Sequence, residues 1–176
     1  MKTRDLVLIA LFAALIALCA WITIPSVVPF TMQTFGVFMA ASLLGGKRGT
    51  LAVLVYILLG AVGLPVFSGF GGGLGYLLGK TGGYIIGFIG TALTMWGFTK
   101  IFGRGRIMRG VGMLVGLLVC YAFGTGWFMS LYIRTNGPVS LMTVLSWCVI
   151  PYIIPDLVKI ALALSLSNQI ERRITV

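Results

Sequence analysis

Residues 71–84 read GGGLGYLLGKTGGY, and this glycine-rich stretch separates two apolar runs of the chain. Its second half resembles the phosphate-binding loop pattern G-x-x-x-x-G-K-[ST]. Leu74 stands where that pattern needs its first glycine, ahead of Gly79, Lys80 and Thr81, so the pattern is not met. The glycines therefore need another explanation, which the rest of the chain supplies.

The composition is that of a membrane protein. Of the 176 residues, 59% are hydrophobic and only 9% are charged, and the mean hydropathy is +1.10. A soluble domain carries about 25% charged residues. The sequence has no histidine, and its only acids are Asp5, Asp156 and Glu171. We therefore expect no histidine-dependent catalysis, no histidine-ligated metal and no pair of catalytic carboxylates.

Apolar runs between glycine, proline and basic breaks predict an all-α integral membrane protein, with residues 1–176 forming one domain. The six predicted transmembrane helices are Leu6–Trp21, Thr31–Gly45, Thr50–Leu64, Thr81–Phe102, Met108–Ile133 and Met142–Ile170. The second and third runs are short for a full crossing at about 1.5 Å per residue. We expect loops to cover their outer ends.

The basic residues predict the orientation of these helices. Ten of the thirteen Lys and Arg residues fall at one set of helix ends, and only Lys80 and Arg134 fall at the other. Because basic loops stay in the cytoplasm, we predict that both termini are cytoplasmic. The glycine-rich loop, between helices 3 and 4, then faces outward, away from cytoplasmic ATP. Topology also explains the net charge of +10, so we expect no nucleic acid partner.

The glycines of the outer loop favour a lid over a small-molecule pocket. Glycine lets the backbone approach a ligand closely, and irregular backbone at membrane depth is tolerated where it lines a cavity. This prediction includes Gly71, Gly72 and Gly73. Gly83 and Gly87, four residues apart inside the next helix, instead predict close helix packing.

Two charges lie inside the last predicted span, in PYIIPDLVKIALAL at residues 151–164. Asp156 and Lys159 are three residues apart and share one helical face. Ionisable groups inside the membrane are costly unless they are paired or face a cavity, so they indicate a functional site. The alternative is a purely structural ion pair.

Small residues recur every four positions in the first span, at Ala10 and Ala14 and again at Ala13 and Ala17. This spacing lets a second helix approach closely. The sequence leaves open whether that helix belongs to this chain or to a partner.

Together these features resemble the biotin-specific S component (BioY family) of energy-coupling factor vitamin transporters. The resemblance covers nearly the whole chain, and it is carried by VPFTMQTFGVFMAASLLGGKRG, YILLGAVGLPVFSGFGGGLGYLLGKTGGYIIGF, FGTGWF and PYIIPDLVKIALA. It implies a six-helix subunit of a bacterial plasma membrane that binds biotin and is not an enzyme. The implied partners are a transmembrane coupling subunit and two cytoplasmic ATPase subunits, with the Ala10, Ala14 and Ala17 face docking on the coupling subunit.

The resemblance also implies how biotin is held, with no cofactor and no metal. Asp156 is expected to accept from the ureido N–H groups and Lys159 to donate to a ligand oxygen. The other candidate binding residues are Gln33, Phe67, Tyr84, Trp127 and Tyr152. Lys80 is a candidate partner for the biotin carboxylate, at a position where the family often has proline, and Arg134 competes for that role.

Three rival functions remain open at this point. The first rival is another kind of transport protein, either an S component for another small vitamin or a free-standing biotin carrier. An intramembrane enzyme is disfavoured by the missing histidines, and a structural assembly subunit has no need for a glycine lid or a buried Asp156–Lys159 pair.

Overall fold

Helices make up most of the protein, as the apolar sequence predicts. The computed structural model describes residues 2–174. The helices are α1 (Thr3–Trp21), α2 (Gln33–Leu44), α3 (Gly46–Ala61), α4 (Leu74–Leu77), α5 (Gly82–Phe102), α6 (Arg106–Asn136), α7 (Leu141–Cys148) and α8 (Ile150–Ile174). A small antiparallel hairpin, β1 (Thr23–Ile24) and β2 (Phe30–Thr31), connects α1 to α2.

Within residues 2–174, four helices are long and apolar enough to cross a membrane: α1, α5, α6 and α8. The α2 and α3 helices are shorter, with 12 and 16 residues. The six-span prediction is therefore met only in part by helix length and composition.

The last predicted span, Met142–Ile170, is wrong as a single helix. The chain breaks at Val149, where φ is −129°, and forms α7 and α8 on either side. Pro151 explains the break, because its ring clashes with the carbonyl group four residues earlier and it has no N–H group to donate. The same proline is tolerated as the second residue of α8, because a backbone N–H group at that position would have no acceptor within the helix.

The α2 helix lies at the centre of the bundle and packs against α1, α3, α5 and α8. Val37, Phe38 and Ala40 are fully buried there. Gly36 allows α1 to approach α2 closely, because an added Cβ would lie 3.1 Å from the Cα of Ile16 on α1. The central position of α2 brings its first residues under the outer loops.

Glycines hold α5 and α6 together as a tight helical hairpin. A Cβ atom at Gly83 would lie 2.3 Å from the Cβ of Trp127, and one at Gly87 would lie 3.1 Å from the Sγ of Cys120. The packing role predicted for this glycine pair is confirmed. From the other side, Gly124 on α6 makes room for the ring of Tyr84.

Ion pairs gather the basic helix ends on one side of the bundle. Arg48 at the start of α3 binds Asp5 at the start of α1 at 2.7 Å. Arg109 near the start of α6 binds Glu171 near the end of α8, also at 2.7 Å. The glycine-rich loop lies at the opposite ends of these helices, where Trp21 Nε1 donates to the Pro65 carbonyl oxygen at 2.9 Å.

Candidate functional site

A cavity opens between the glycine-rich loop and the central helix. It has a volume of about 570 Å³, its opening to solvent included. Residues from the hairpin, the glycine-rich loop and five helices line it: Val28, Pro29, Thr31, Gln33, Thr34, Ser68, Tyr76, Thr81, Tyr84, Ile85, Phe88, Cys120, Tyr121, Cys148, Tyr152, Asp156 and Lys159. Most of this wall is apolar or aromatic, with a few polar groups, which is typical of small-molecule sites.

The two buried charges of α8 meet inside this cavity. Lys159 Nζ lies 2.7 Å from Asp156 Oδ1, and both residues are 3% exposed. Lys159 also donates to the carbonyl oxygen of Thr31 at 2.6 Å, and its Nζ lies 4.1 Å from the centre of the Phe30 ring. A carboxylate, a carbonyl group and an aromatic face thus surround the ammonium group, which offsets the cost of its burial.

Two hydroxyl groups complete the surroundings of the Asp156 carboxylate. Thr34 Oγ1 donates to Oδ1 at 3.1 Å, and Tyr121 Oη donates to Oδ2 at 2.5 Å. An ionised carboxylate offers about four acceptor positions, and an ammonium group has three N–H donors. Contacts within residues 2–174 therefore leave one acceptor position on Asp156 and one donor on Lys159 for a ligand.

Gln33 forms a second polar cluster beside the charges. Its Oε1 accepts a hydrogen bond from Thr31 Oγ1 at 2.9 Å, and its Nε2 donates to the hydroxyl group of Tyr56. Because the carbonyl group of the same Thr31 binds Lys159, the β2 strand joins the two clusters. The hairpin between α1 and α2 is thus part of the site.

Two predicted tyrosines line the cavity with their rings. Tyr152 donates to the carbonyl oxygen of Val28 through its hydroxyl group, which also lies 2.7 Å from Ser26 Oγ. The hydroxyl group of Tyr84 lies 3.1 Å from Thr125 Oγ1. Both hydroxyl groups are therefore used to fix the rings, and the rings themselves face the cavity.

The structure brings five of the predicted binding residues together in the cavity: Gln33, Tyr84, Tyr152, Asp156 and Lys159. The other six do not line it. They are Phe67, Gly71, Gly72, Gly73, Lys80 and Trp127.

Those six residues shape or flank the glycine-rich loop. Phe67 is fully buried and packs on Tyr56 and Tyr76, with ring centres 5.6 and 5.2 Å apart. A Cβ atom at Gly71 would collide with Tyr76, and one at Gly72 would collide with the Leu64 carbonyl oxygen.

Gly73, Trp127 and Lys80 also lie in or beside the loop, outside the cavity. Gly73 has a φ of +89°, which favours glycine, and Trp127 Nε1 donates to the Gly79 carbonyl oxygen at 3.0 Å. Lys80 is exposed, and its Nζ lies 5.2 Å from the centre of the Tyr132 ring.

Sequence reasoning missed several residues of the site, among them Thr31, Thr34, Tyr76 and Tyr121. Hydroxyl residues are common in membrane helices, and nothing in their spacing separates these from the others. Tyr121 carries one usable signal, because it lies on α6 and the Asp156 charge inside the membrane needs donors from neighbouring helices.

The alanines of α1 divide between two faces of the helix. Ala10 and Ala14 are exposed, and Ala14 lines a shallow apolar hollow with Leu11, Phe12, Leu15 and Leu18. Ala13 and Ala17 are 1% and 7% exposed and pack inside the protein. Ala17 therefore does not belong to the exposed face of α1, contrary to the sequence prediction, because its side chain is covered by this chain's own helices.

Comparisons with known proteins agree with this architecture. The model of the BioY family matches residues 1–176. A probable biotin transporter BioY from Pyrococcus horikoshii is 40% identical over 173 residues, which cover 97% of this chain and 98% of that protein. The biotin transporter BioY of Thermotoga maritima is 38% identical over 170 residues, covering 96% of each chain.

A solved structure shows the same fold. It is the crystal structure of the S-component for biotin from an ECF-type ABC transporter, with a TM-score of 0.86 and 27% identity. The match covers 98% of this chain and 95% of that one. The chain therefore belongs to the BioY family.

Proposed function

We propose that this protein is the substrate-binding membrane subunit for high-affinity biotin uptake. The observation that carries the proposal is the buried Asp156–Lys159 pair in the wall of a largely apolar cavity. The similar proteins are named as biotin transporters, not as enzymes. Uptake, not chemical conversion, is therefore the function of this site.

The chemistry of biotin fits the polar groups of the cavity. Its ureido ring offers two N–H donors and one carbonyl acceptor, and the rest of its fused ring system is apolar. The open position on Asp156 accepts one ureido N–H group, and the third N–H of Lys159 donates to the ureido oxygen. The second ureido N–H group reaches Asp156 if it replaces the hydroxyl group of Thr34 or Tyr121. The rings of Tyr84, Phe88 and Tyr152 then cover the apolar part.

The proposed partners follow from the fold of the solved biotin S-component of an ECF-type transporter. We infer that a transmembrane coupling subunit and two cytoplasmic ATPase subunits drive transport by this chain. The exposed face of α1, with Ala10 and Ala14, is the proposed docking surface. Small side chains there allow the close helix approach that docking requires.

The proposed topology has six membrane-embedded elements in a bacterial plasma membrane. These elements are α1, α2, α3, α5, α6 and the α7–α8 pair. The ion pairs Arg48–Asp5 and Arg109–Glu171 support a common side for the basic helix ends, which the positive-inside rule assigns to the cytoplasm. The glycine-rich loop and the cavity then lie on the outer side, from which biotin enters.

A biotin titration on purified protein tests the site. We expect Asp156→Asn and Lys159→Ala each to weaken binding by about tenfold or more, since a hydrogen bond to a charged group contributes about 1.5–3 kcal/mol. Asp5→Asn is the matched control, because it breaks an ion pair outside the cavity. Unchanged affinity in both α8 variants, measured on folded protein, contradicts the proposed site.

A further inference from the structure

A second cavity lies at the other end of the bundle, between the start of α6 and the last turns of α8. Its volume is about 410 Å³, its opening to solvent included. We call it the α6–α8 cavity, and its lining residues are Arg106, Ser165, Asn168, Gln169 and Arg172. All five side chains are polar, and two of them are guanidinium groups. The proposed biotin site uses none of these residues.

The charge of this region is strongly positive. The side chains of Arg106 and Arg172 form no hydrogen bond or ion pair with any of residues 2–174. Arg109, one turn after Arg106, is paired with Glu171. Arg106 and Arg172 thus bring two positive charges to the cavity that form no ion pair within residues 2–174.

Buried hydrogen-bond donors without acceptors accompany this charge. Nδ2 of Asn168 is buried and has no partner in the part of the chain that the structure describes. Nε and Nη1 of Arg109 are in the same condition, and the Arg109 side chain is only 9% exposed. The positive-inside rule explains basic residues here, but it does not explain a buried amide N–H group that lacks an acceptor.

The first turn of α6 adds to the preference for an anion. Arg106 is the first residue of this 31-residue helix, and no side chain caps its N-terminus. The free N–H groups and the dipole of a helix start favour negative charge. The cavity therefore combines two unpaired guanidinium groups, an amide donor and a helix start.

We propose that the α6–α8 cavity binds a phosphate group, either in the headgroup of an anionic phospholipid or as free phosphate. Guanidinium groups match phosphate oxygens with paired hydrogen bonds, and the several oxygens supply acceptors for both arginines and for Asn168. The cavity lies at helix ends, where the headgroups of a bilayer are found, and basic pockets between membrane helices bind such headgroups. This inference does not depend on the identity of the transported substrate.

Lipid binding to the whole protein tests the proposal. The pocket variant is Arg106→Gln with Arg172→Gln, and the matched control is Arg134→Gln with Arg173→Gln, which removes the same charge outside the cavity. Native mass spectrometry counts the lipids retained from detergent that contains equal amounts of phosphatidylglycerol and phosphatidylcholine. We expect the wild type and the control to prefer phosphatidylglycerol. In the pocket variant, the ratio of retained phosphatidylglycerol to phosphatidylcholine should fall by about tenfold.

Two further measurements complete the test. A competition with inorganic phosphate identifies the source of the phosphate group, and a second cavity variant guards against a loss of binding that is caused by misfolding. Inorganic phosphate that displaces the lipid at millimolar concentration identifies free phosphate as an occupant, and lipid that persists identifies the headgroup. Asn168→Asp places a carboxylate in the cavity and is expected to weaken binding without removing an arginine. Equal phosphatidylglycerol retention in the wild type, the control and both cavity variants overturns the proposal, as does the lack of any preference in the wild type.

Discussion

The Tyr121 hydroxyl group on α6 donates to Oδ2 of Asp156, whereas Lys159 binds Oδ1 of the same carboxylate. We expect Tyr121→Phe to weaken biotin binding several-fold, because the variant keeps the ring but removes one hydrogen bond to a charged acceptor inside the membrane. A biotin titration measures the effect. Tyr132→Phe is the matched control on the same helix, since that ring packs on Phe128 and Trp147 outside the cavity.

The two outcomes for Tyr121→Phe have different meanings. Weaker binding indicates that the hydroxyl group positions Asp156 for the ligand. Tighter binding indicates instead that the hydroxyl group competes with a ureido N–H group for Oδ2, and this contradicts the positioning role.

Lys80 is one of the predicted binding residues that do not line the cavity. The sequence predicts it as a partner for the biotin carboxylate, whereas in the structure it lies over Tyr132 and near Asn136, next to the lining residue Thr81. We still predict that its flexible side chain turns to the biotin carboxylate, because among residues 2–174 Lys159 is the only cation in the wall of the Asp156 cavity. The wild type should then prefer biotin over its methyl ester, and Lys80→Met should lose most of that preference.

Arg134→Met is the matched control for Lys80, as it removes the other cation from the outer helix ends. A preference that survives in Lys80→Met and disappears in Arg134→Met assigns the carboxylate to Arg134. A preference unchanged in both variants removes both residues from the site.

The charged residues of the site were predictable from sequence, and the neutral ones were not. Asp156 and Lys159 are conspicuous because the membrane interior penalises a charge that has no partner. Thr34 and Tyr121 carry no such penalty, and their role depends on how α2, α6 and α8 pack together. Phe67 was predicted to bind the ligand but lies outside the cavity, since a buried aromatic ring can support a loop as readily as it lines a pocket.

At the scale of helices, the α5–α6 hairpin positions one wall of the cavity. A Cβ atom at Gly124 would lie 2.2 Å from the ring of Tyr84, which lines that wall. We expect Gly124→Ala to destabilise the protein by about 1–3 kcal/mol through overpacking and to weaken biotin binding by displacing the ring. Thermal unfolding and a biotin titration measure the two effects.

Gly126→Ala is the matched control, two residues further along the same helix. Nothing lies within 4 Å of a Cβ atom at this position, so we expect a neutral effect or a gain of up to about 1 kcal/mol from helix propensity. If both variants behave alike, close packing against Tyr84 is not what fixes the cavity wall.

Element boundaries were predicted well where periodicity or glycine set them and less well elsewhere. The glycine-rich loop separates α3 from α5 as expected, although it also contains the short helix α4. The hairpin of β1 and β2 was not predicted, because each strand has only two residues and gives no alternating pattern. The sequence does not predict the break at Val149, because the apolar run continues through it.

At the scale of the whole molecule, the two ends of the bundle have different chemistry. The end with the glycine-rich loop holds the Asp156 cavity, and the other end holds the ion pairs of Asp5 and Glu171 and the α6–α8 cavity. One end is thus suited to a small ligand and the other to anions at a membrane surface. The flank of α1 between them is apolar and exposed at Val7, Leu11 and Leu18.

The docking of a partner on α1 gives a prediction for the whole assembly. Ala10 and Ala14 are exposed, and Ala14 lies in an apolar hollow, so a partner helix can approach the α1 backbone closely. We expect Ala10→Trp with Ala14→Trp to abolish co-purification with the transmembrane coupling subunit and to leave biotin binding intact, because α1 does not line the Asp156 cavity. Pull-down from co-expressed subunits and a biotin titration measure the two properties.

Ala122→Trp with Ala161→Trp is the matched control, since both alanines are exposed on other helices, α6 and α8. A bulky side chain acts on docking only where it stands between two backbones, so this control should keep the complex. If the complex survives the α1 substitutions, the coupling subunit docks on another helix. If the control loses the complex as well, added bulk on any lipid-facing helix disturbs assembly, and the α1 surface has no special role. Loss in the α1 variant alone assigns docking to Ala10 and Ala14, one helix away from the residues that hold the ligand.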